Sequence, residues 1–205
     1  MSKRRDEIGD YIHKKIQFYE DGSESAVSIE LARLRRGIGH APGDLADLYG
    51  AFLKDMPEWF WNNSGYITRE EWACYTAISL FALHQQGNSP KLHSMHKEEK
   101  ISIGSAIRKL SVALGDNNAD ERMQKKQQML ITSKDMAELA QHLKGIITML
   151  RGEGVSLNYV LLAQDLYDFQ FENQKQRIGL KWGQDYFRKE KVKENEERGE
   201  LTCQN

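Results

Sequence analysis

Arg33, Arg35 and Arg36 crowd three guanidinium groups into the segment ARLRRGIG, residues 32–39, immediately before Gly37. One cation satisfies the negative end of a helix dipole, and each further guanidinium repels its neighbours. The planar guanidinium fork matches phosphate oxygens in bidentate fashion, so this density points to an external anion, phosphate first. The competing reading is a solvated helix end whose arginines pair internally with carboxylates such as Glu30 or Asp44. Gly37 is expected to stop the helix in the left-handed conformation open to glycine.

Other residue types that do chemistry fail on spacing. His93 and His96 have HxxH spacing but lack a third ligand and the acidic base of an HExxH helix. Ser94 and Lys97 fit SxxK without the companion elements of a serine acyl-enzyme. The glycines at 37, 39, 152 and 154 follow helices, not the strand that a phosphate-binding loop needs. Glu70 with Glu71, and Glu98 with Glu99, point in different directions on a helix and cannot converge on one proton. No catalytic residue, metal or cofactor is expected.

The elements that position the arginines read as helices throughout. With 205 residues and three prolines, the sequence offers several amphipathic stretches and no convincing strand. Val27, Leu31, Leu34 and Ile38 form the apolar side of the arginine helix, leaving Arg33 and Arg36 off it. Thr68 and Glu71 make a capping box ahead of the most hydrophobic helix, residues 72–83, which belongs in the middle of a bundle. Thr132 and Asp135 read as a second box before the stripe Met136, Leu139, Leu143, Ile146, Ile147 and Leu150. Ser156 is expected to cap the helix that follows. The fold class is an all-α helical bundle, one domain over residues 1–188, with two packed lobes at 1–115 and 116–188. The division falls there because the polar connection at 85–100 separates two apolar sets; that connection is the expected mobile loop. A charged tail of alternating sign, residues 189–205, is expected to fray or to lack order.

A net charge of −1 excludes a constitutive polyanion binder, so nucleic-acid contact must come from local patches or from an assembly. The two cysteines, Cys74 and Cys203, and an N-terminus without the apolar run of a signal peptide predict a reducing cytoplasm and no membrane. Cys74 reads as a small buried hydrophobe.

In chain order, ARLRRGIG, the hydrophobic helix behind Arg69, ELAQHLKGIITMLR at 138–151, VLLAQDLYDF at 160–169 and WGQDYF at 182–187 together resemble the CasB family, the small subunit of the type I-E CRISPR surveillance complex Cascade. The resemblance spans about residues 25–188. It implies a non-catalytic protein that sits as a homodimer along a crRNA-guided complex. It further implies contact with the backbone and large subunits, and help in holding the crRNA, the target DNA and the displaced strand of the R-loop. Base pairing reads sequence in such a system while protein cations steady the phosphates. The family's basic contacts carry over to Arg36, Arg69, Lys97, Lys125, Lys126 and Lys144. The stripe Arg177, Lys181, Gln184, Arg188 on the last helix adds Lys181 and Arg188 as candidates from its spacing.

Plain alternatives stand beside each of these. Lys125 and Lys126, set among glutamines, also read as ordinary surface. Arg177, Lys181 and Arg188 could equally pair with acidic residues of their own helix. Trp182 and Tyr186 read as core. Trp59, Phe60, Trp61 and Tyr66 read as core or as a docking patch for a neighbouring subunit. Asp185 stands where some relatives are expected to carry a basic or neutral residue, which argues against DNA binding outside a complex. A helical protein–protein adaptor with no nucleic-acid role is the alternative function.

Overall fold

The computed structural model describes residues 3–188. Its α-helices are α1 (Lys3–Asp21), α2 (Glu24–Arg36), α3 (Tyr49–Phe52), α4 (Arg69–His84), α5 (Ile103–Leu114), α6 (Ala119–Thr132), α7 (Met136–Gly152), α8 (Tyr159–Phe169) and α9 (Glu172–Phe187). Single 3-10 turns lie at Ala46–Leu48 and Glu58–Phe60. Extended pairing among the described residues is confined to one parallel bridge, His96 to Leu157. The all-α expectation holds; the charged tail at 189–205 lies outside the described residues.

The capping box forms as its spacing requires. Thr68 Oγ1 accepts the Glu71 N–H at 3.1 Å and the Glu71 carboxylate accepts the Thr68 N–H at 2.7 Å. From there α4 runs through the centre, every residue from 73 to 84 buried, with α1, α2, α7 and α8 packed around it. A helix apolar on all sides can be stable only when covered on all sides. Cys74 lies fully buried in this helix, and burial raises its thiol pKa well above the ordinary value.

Helices on either side of residue 115 interleave. α8 packs on α1 and α4, whereas α5 packs on α6 and α9, and the buried apolar side chains form one continuous cluster. α5 and α9 come close at Gly104, where a Cβ would lie 2.1 Å from the Trp182 carbonyl oxygen. Trp182 itself is buried and stacks on Phe169 at 5.8 Å, and Tyr186 is buried beside it, both core as expected.

Local signals were displaced at three places. The cap of α7 is Asp135, which accepts from the Glu138 N–H at 2.8 Å, while Thr132 closes α6; the Glu138 carboxylate accepts the Lys134 N–H at 2.7 Å, so the cap lies three residues further along and is one-sided, not a reciprocal box. α8 is capped by Asn158 rather than Ser156, because Leu157 is held extended against His96 and the helix can turn only afterwards. Gly37 has φ −74°, not a left-handed value; the left-handed residue is Gly39, at φ 88°. What requires glycine at 37 is proximity: the Tyr75 hydroxyl donates to its carbonyl at 3.1 Å, and a Cβ would stand 2.2 Å from that hydroxyl oxygen.

The polar connection at 85–100 is stitched down rather than left open. The buried Gln85 donates to the carbonyls of Asn88 and His93 and accepts from the Met95 N–H at 2.9 Å. Lys97 N–H donates to Leu157 O at 3.1 Å, Leu157 N–H to Met95 O at 3.0 Å, and the Asn158 amide to the carbonyls of Glu98 and Glu99. Polar composition here reflects a backbone satisfied by side chains.

Candidate nucleic-acid interface

α2 buries Val27, Leu31 and Leu34, which turns Arg33 and Arg36 to the exposed side. Arg33 has no ion pair among the described residues, whereas Arg36 pairs with the exposed carboxylate of Asp47. The internal partner foreseen for this cluster was Glu30 or Asp44. Glu30 instead accepts from Lys15 at 3.4 Å and from the Tyr19 hydroxyl at 2.8 Å. Asp44 accepts the Ala41 N–H at 2.9 Å.

Arg35 bends toward the end of α4 and donates to Ala82 O at 3.3 Å. Arg151, from the last turn of α7, reaches the same helix end, donating to Leu83 O at 3.5 Å and to Gln86 Oε1 at 2.6 Å. The two guanidinium groups thus straddle the carbonyl terminus of α4. Partial burial lowers the Arg35 pKa, and the Arg151 charge pushes in the same direction. A like-charged pair of this kind is held by the negative end of α4 and gains from any further anion. Arg151 was not singled out from sequence, because one arginine in a last helical turn is ordinary there and only the packing of α7 on α4 sets it against Arg35.

Lys144 is exposed on α7 and free of side-chain partners among the described residues. It lies one turn beyond Ala140 and Gln141, against which the loop ending α2 packs, the Gln141 amide seating on Gly39. Lys97 projects exposed from the stitched connection. Lys126 is half-buried on α6, and Lys125 beside it binds Glu121 one turn back at 2.6 Å.

Arg69 places its guanidinium over the Phe171 ring at 4.5 Å. It stands at the edge of a groove of about 500 Å³ that Lys134, Lys175, Trp72 and Phe169 also line. The α9 stripe divides. Arg188 pairs with Asp185 at 3.3 Å, and Lys181 donates to Asp165 at 2.7 and 2.9 Å. Asp165 is 1 % exposed and also receives Arg5 at 3.2 Å and the Trp182 indole N–H at 2.9 Å. Arg177 approaches Asp168 at 3.6 Å. The acidic partners of Lys181 and Arg177 are therefore on α8, not on their own helix. Asp185 holds α9 to α5 by accepting from the Ser102 hydroxyl, the cap of α5, at 2.7 Å.

His93 and His96 do not converge. His93 is exposed, whereas His96 is buried with Nδ1 accepting the Tyr159 N–H at 3.1 Å and Nε2 donating to Glu98 at 3.1 Å. No group of three or more histidine, cysteine or carboxylate side chains among the described residues is arranged to hold a metal ion. No helix there is long and apolar enough to cross a membrane.

Fold and surface together define a class: a helical protein that presents separate cations from rigid helices over one shared core. A model of the family described as CRISPR-associated protein Cse2 matches residues 30–187, and the chain belongs to that family. The crystal structure of CasB from Thermobifida fusca is similar, with a TM-score of 0.70 and 27% identity over 88% of this chain and 97% of that one. Among curated proteins no match was found. Cse2, or CasB, is a structural subunit family of the CRISPR Cascade complex, so the chain is a subunit of that kind, associated with other Cascade components.

Proposed function

We propose that the chain is the non-catalytic small subunit of a crRNA-guided type I-E Cascade complex, steadying the R-loop by holding strand phosphates during antiviral defence. The observation that carries this reading is the Arg35–Arg151 pair at the end of α4, with the unpaired Arg33 and Lys144 on the same two helices. Cations on rigid helices suit a backbone that offers charge at regular intervals and needs no reading of bases. Lys97, Lys126 and Arg69 extend the set. Arg36, Lys125, Lys181 and Arg188 already have carboxylate partners and would contact phosphate only by exchanging them. A net charge of −1 supports binding that becomes effective only beside the guide RNA and the backbone and large subunits, with the chain present as a homodimer.

The test is retention of target DNA by assembled Cascade carrying Arg33→Glu with Lys144→Glu. Faster dissociation of the displaced-strand complex, with unchanged helicity and unchanged incorporation of the subunit, is expected. Retention equal to that of the unaltered complex over a salt series would overturn the assignment.

A further inference from the structure

Of the two histidines spaced HxxH, only His96 is buried, and it faces the start of α8. Its Nδ1 accepts the N–H of Tyr159, the first residue of that helix, at 3.1 Å. Asn158 accepts the Leu161 N–H at 2.9 Å, so each of the two side chains satisfies one free N–H of the same helix terminus. An acceptor nitrogen at Nδ1 leaves the ring proton on Nε2, which donates it to Glu98 Oε1 at 3.1 Å. His13, reaching across from α1, approaches the same carboxylate oxygen at 3.1 Å.

Lys97 lies between His96 and Glu98, and its placement follows from theirs. The backbone at 95–97 is bridged to Leu157, whose N–H donates to Met95 O at 3.0 Å and whose carbonyl accepts the Lys97 N–H at 3.1 Å. Neighbouring side chains on extended backbone point to opposite sides, so His96 turned inward sends Lys97 outward, where it is exposed. A slip of one residue would exchange the two and bury an ammonium. The adjacent carboxylate, Glu98, is taken up by the two imidazoles, and Lys97 has no ion pair among the described residues.

We infer that His96, as an acceptor at the start of α8, is the positioning residue that holds Lys97 outward for a strand phosphate, a role that rests on Lys97 being one of the phosphate contacts of the proposed function. Only the neutral ring fits this seat. Protonation would set a second ring N–H against the Tyr159 N–H and a positive charge against the positive end of α8. Burial lowers the His96 pKa from 6.5; the hydrogen bond and charge of Glu98 oppose the shift, as does Glu20 of α1, while His13 adds to it. From α8 the ring faces Tyr159, whose own burial keeps the phenol neutral. Acid therefore drives the ring from its seat and frees residues 95–97 from their register.

The experiment measures dissociation of target DNA from assembled complexes carrying His96→Leu, His96→Asn, Lys97→Gln, or His96→Leu with Lys97→Gln. At about 0.1 M salt, Lys97→Gln should shorten retention about fivefold, the contribution of one phosphate contact on a single strand. His96→Leu should shorten it by a similar factor, and the double variant no further than Lys97→Gln alone. His96→Asn, whose Oδ1 takes the place of Nδ1, should keep the retention. The readout that a merely structural role would not move is the retention ratio of unaltered to Lys97→Gln complex. It should fall toward one as pH drops from about 7 to about 4.5, and stay level when both complexes carry His96→Asn. His84 titrates in both members of the ratio and cancels. Independent effects of His96→Leu and Lys97→Gln, a loss in His96→Asn equal to that in His96→Leu, or a ratio indifferent to pH would each overturn the positioning role and leave Lys97 as a phosphate contact. Lys97→Gln without effect would remove Lys97 from the proposed contacts, and the positioning role with it. Should His96→Leu fail to enter the complex, the pH ratio and His96→Asn decide alone.

Discussion

Lys181 Nζ lies 2.7 Å from Asp165 Oδ1, so a cation that belongs to a surface stripe by its spacing is tied to a carboxylate buried in the neighbouring helix. With Arg5 on the other side of Asp165, this contact joins α1, α8 and α9. Removing the carboxylate charge takes from Lys181 its carboxylate partner and leaves the nearly buried Arg5 with Asp168 alone, at 3.0 Å, and breaking a buried pair costs more than the pair contributed. Asp165→Asn should destabilise the chain by about 3 kcal/mol, seen as a loss of roughly 6–12 °C in Tm. Lys181→Met should cost clearly less, because Arg5 and the Trp182 indole N–H remain on Asp165; equal losses for both variants would contradict this account.

His84 supplies a pH dependence. Its Nδ1 lies 3.0 Å from the Tyr159 hydroxyl, and burial pushes its pKa from 6.5 down to about 4, a backbone hydrogen bond at Val155 opposing the shift and the Arg151 charge adding to it. The unfolded chain therefore binds a proton between about pH 6.5 and pH 4 that the native state refuses, so stability falls as pH drops through that window. The loss should reach the order of 3 kcal/mol at its acid end, and His84→Gln should flatten that part of the profile, measured by urea midpoints across the range.

Two glycines should respond in opposite directions to the same substitution. Gly104→Ala drives a methyl group into the Trp182 carbonyl and must part α5 from α9, at a cost of about 1–3 kcal/mol. Gly145→Ala, in the middle of α7 with open space around its Cβ position, should stabilise by about 1 kcal/mol through helix propensity alone. Denaturant unfolding of both variants checks the pair.

Phosphate contact leaves a trace in salt. If Arg33 and Lys144 each neutralise one phosphate on a single strand, Arg33→Gln with Lys144→Gln should flatten the slope of log affinity against log salt by about 1.4. Lys125→Gln, whose ammonium serves Glu121, should leave the slope unchanged. The measurement is DNA binding by the assembled complex from low to moderate salt.

Sequence alone made the helices legible wherever one residue's neighbours in the chain are also its neighbours in space. The Thr68–Glu71 box, the buried face of α2 and the all-round burial of α4 are of this kind, and the ordered run of motifs from ARLRRGIG to WGQDYF was enough to indicate the family. It failed where a local signal had two possible positions. Asp135 and Asn158 took the caps expected at Thr132 and Ser156 because the bridge between Leu157 and His96 and the length of α6 fixed where the next helix could begin.

What the chain by itself determined, then, is its helical class, the apolar face of each amphipathic helix and the density of cations at the end of α2, since all of these depend on spacing within a few residues. Which cations remain free was decided only by tertiary packing. Lys181 and Arg5 close on Asp165 across gaps of 16 and 160 residues, and Arg151 comes to face Arg35 only because α7 and α2 both pack on α4. A carboxylate neutralises whichever cation lies within a few ångströms of it, and over such separations that distance is set by how the helices stack.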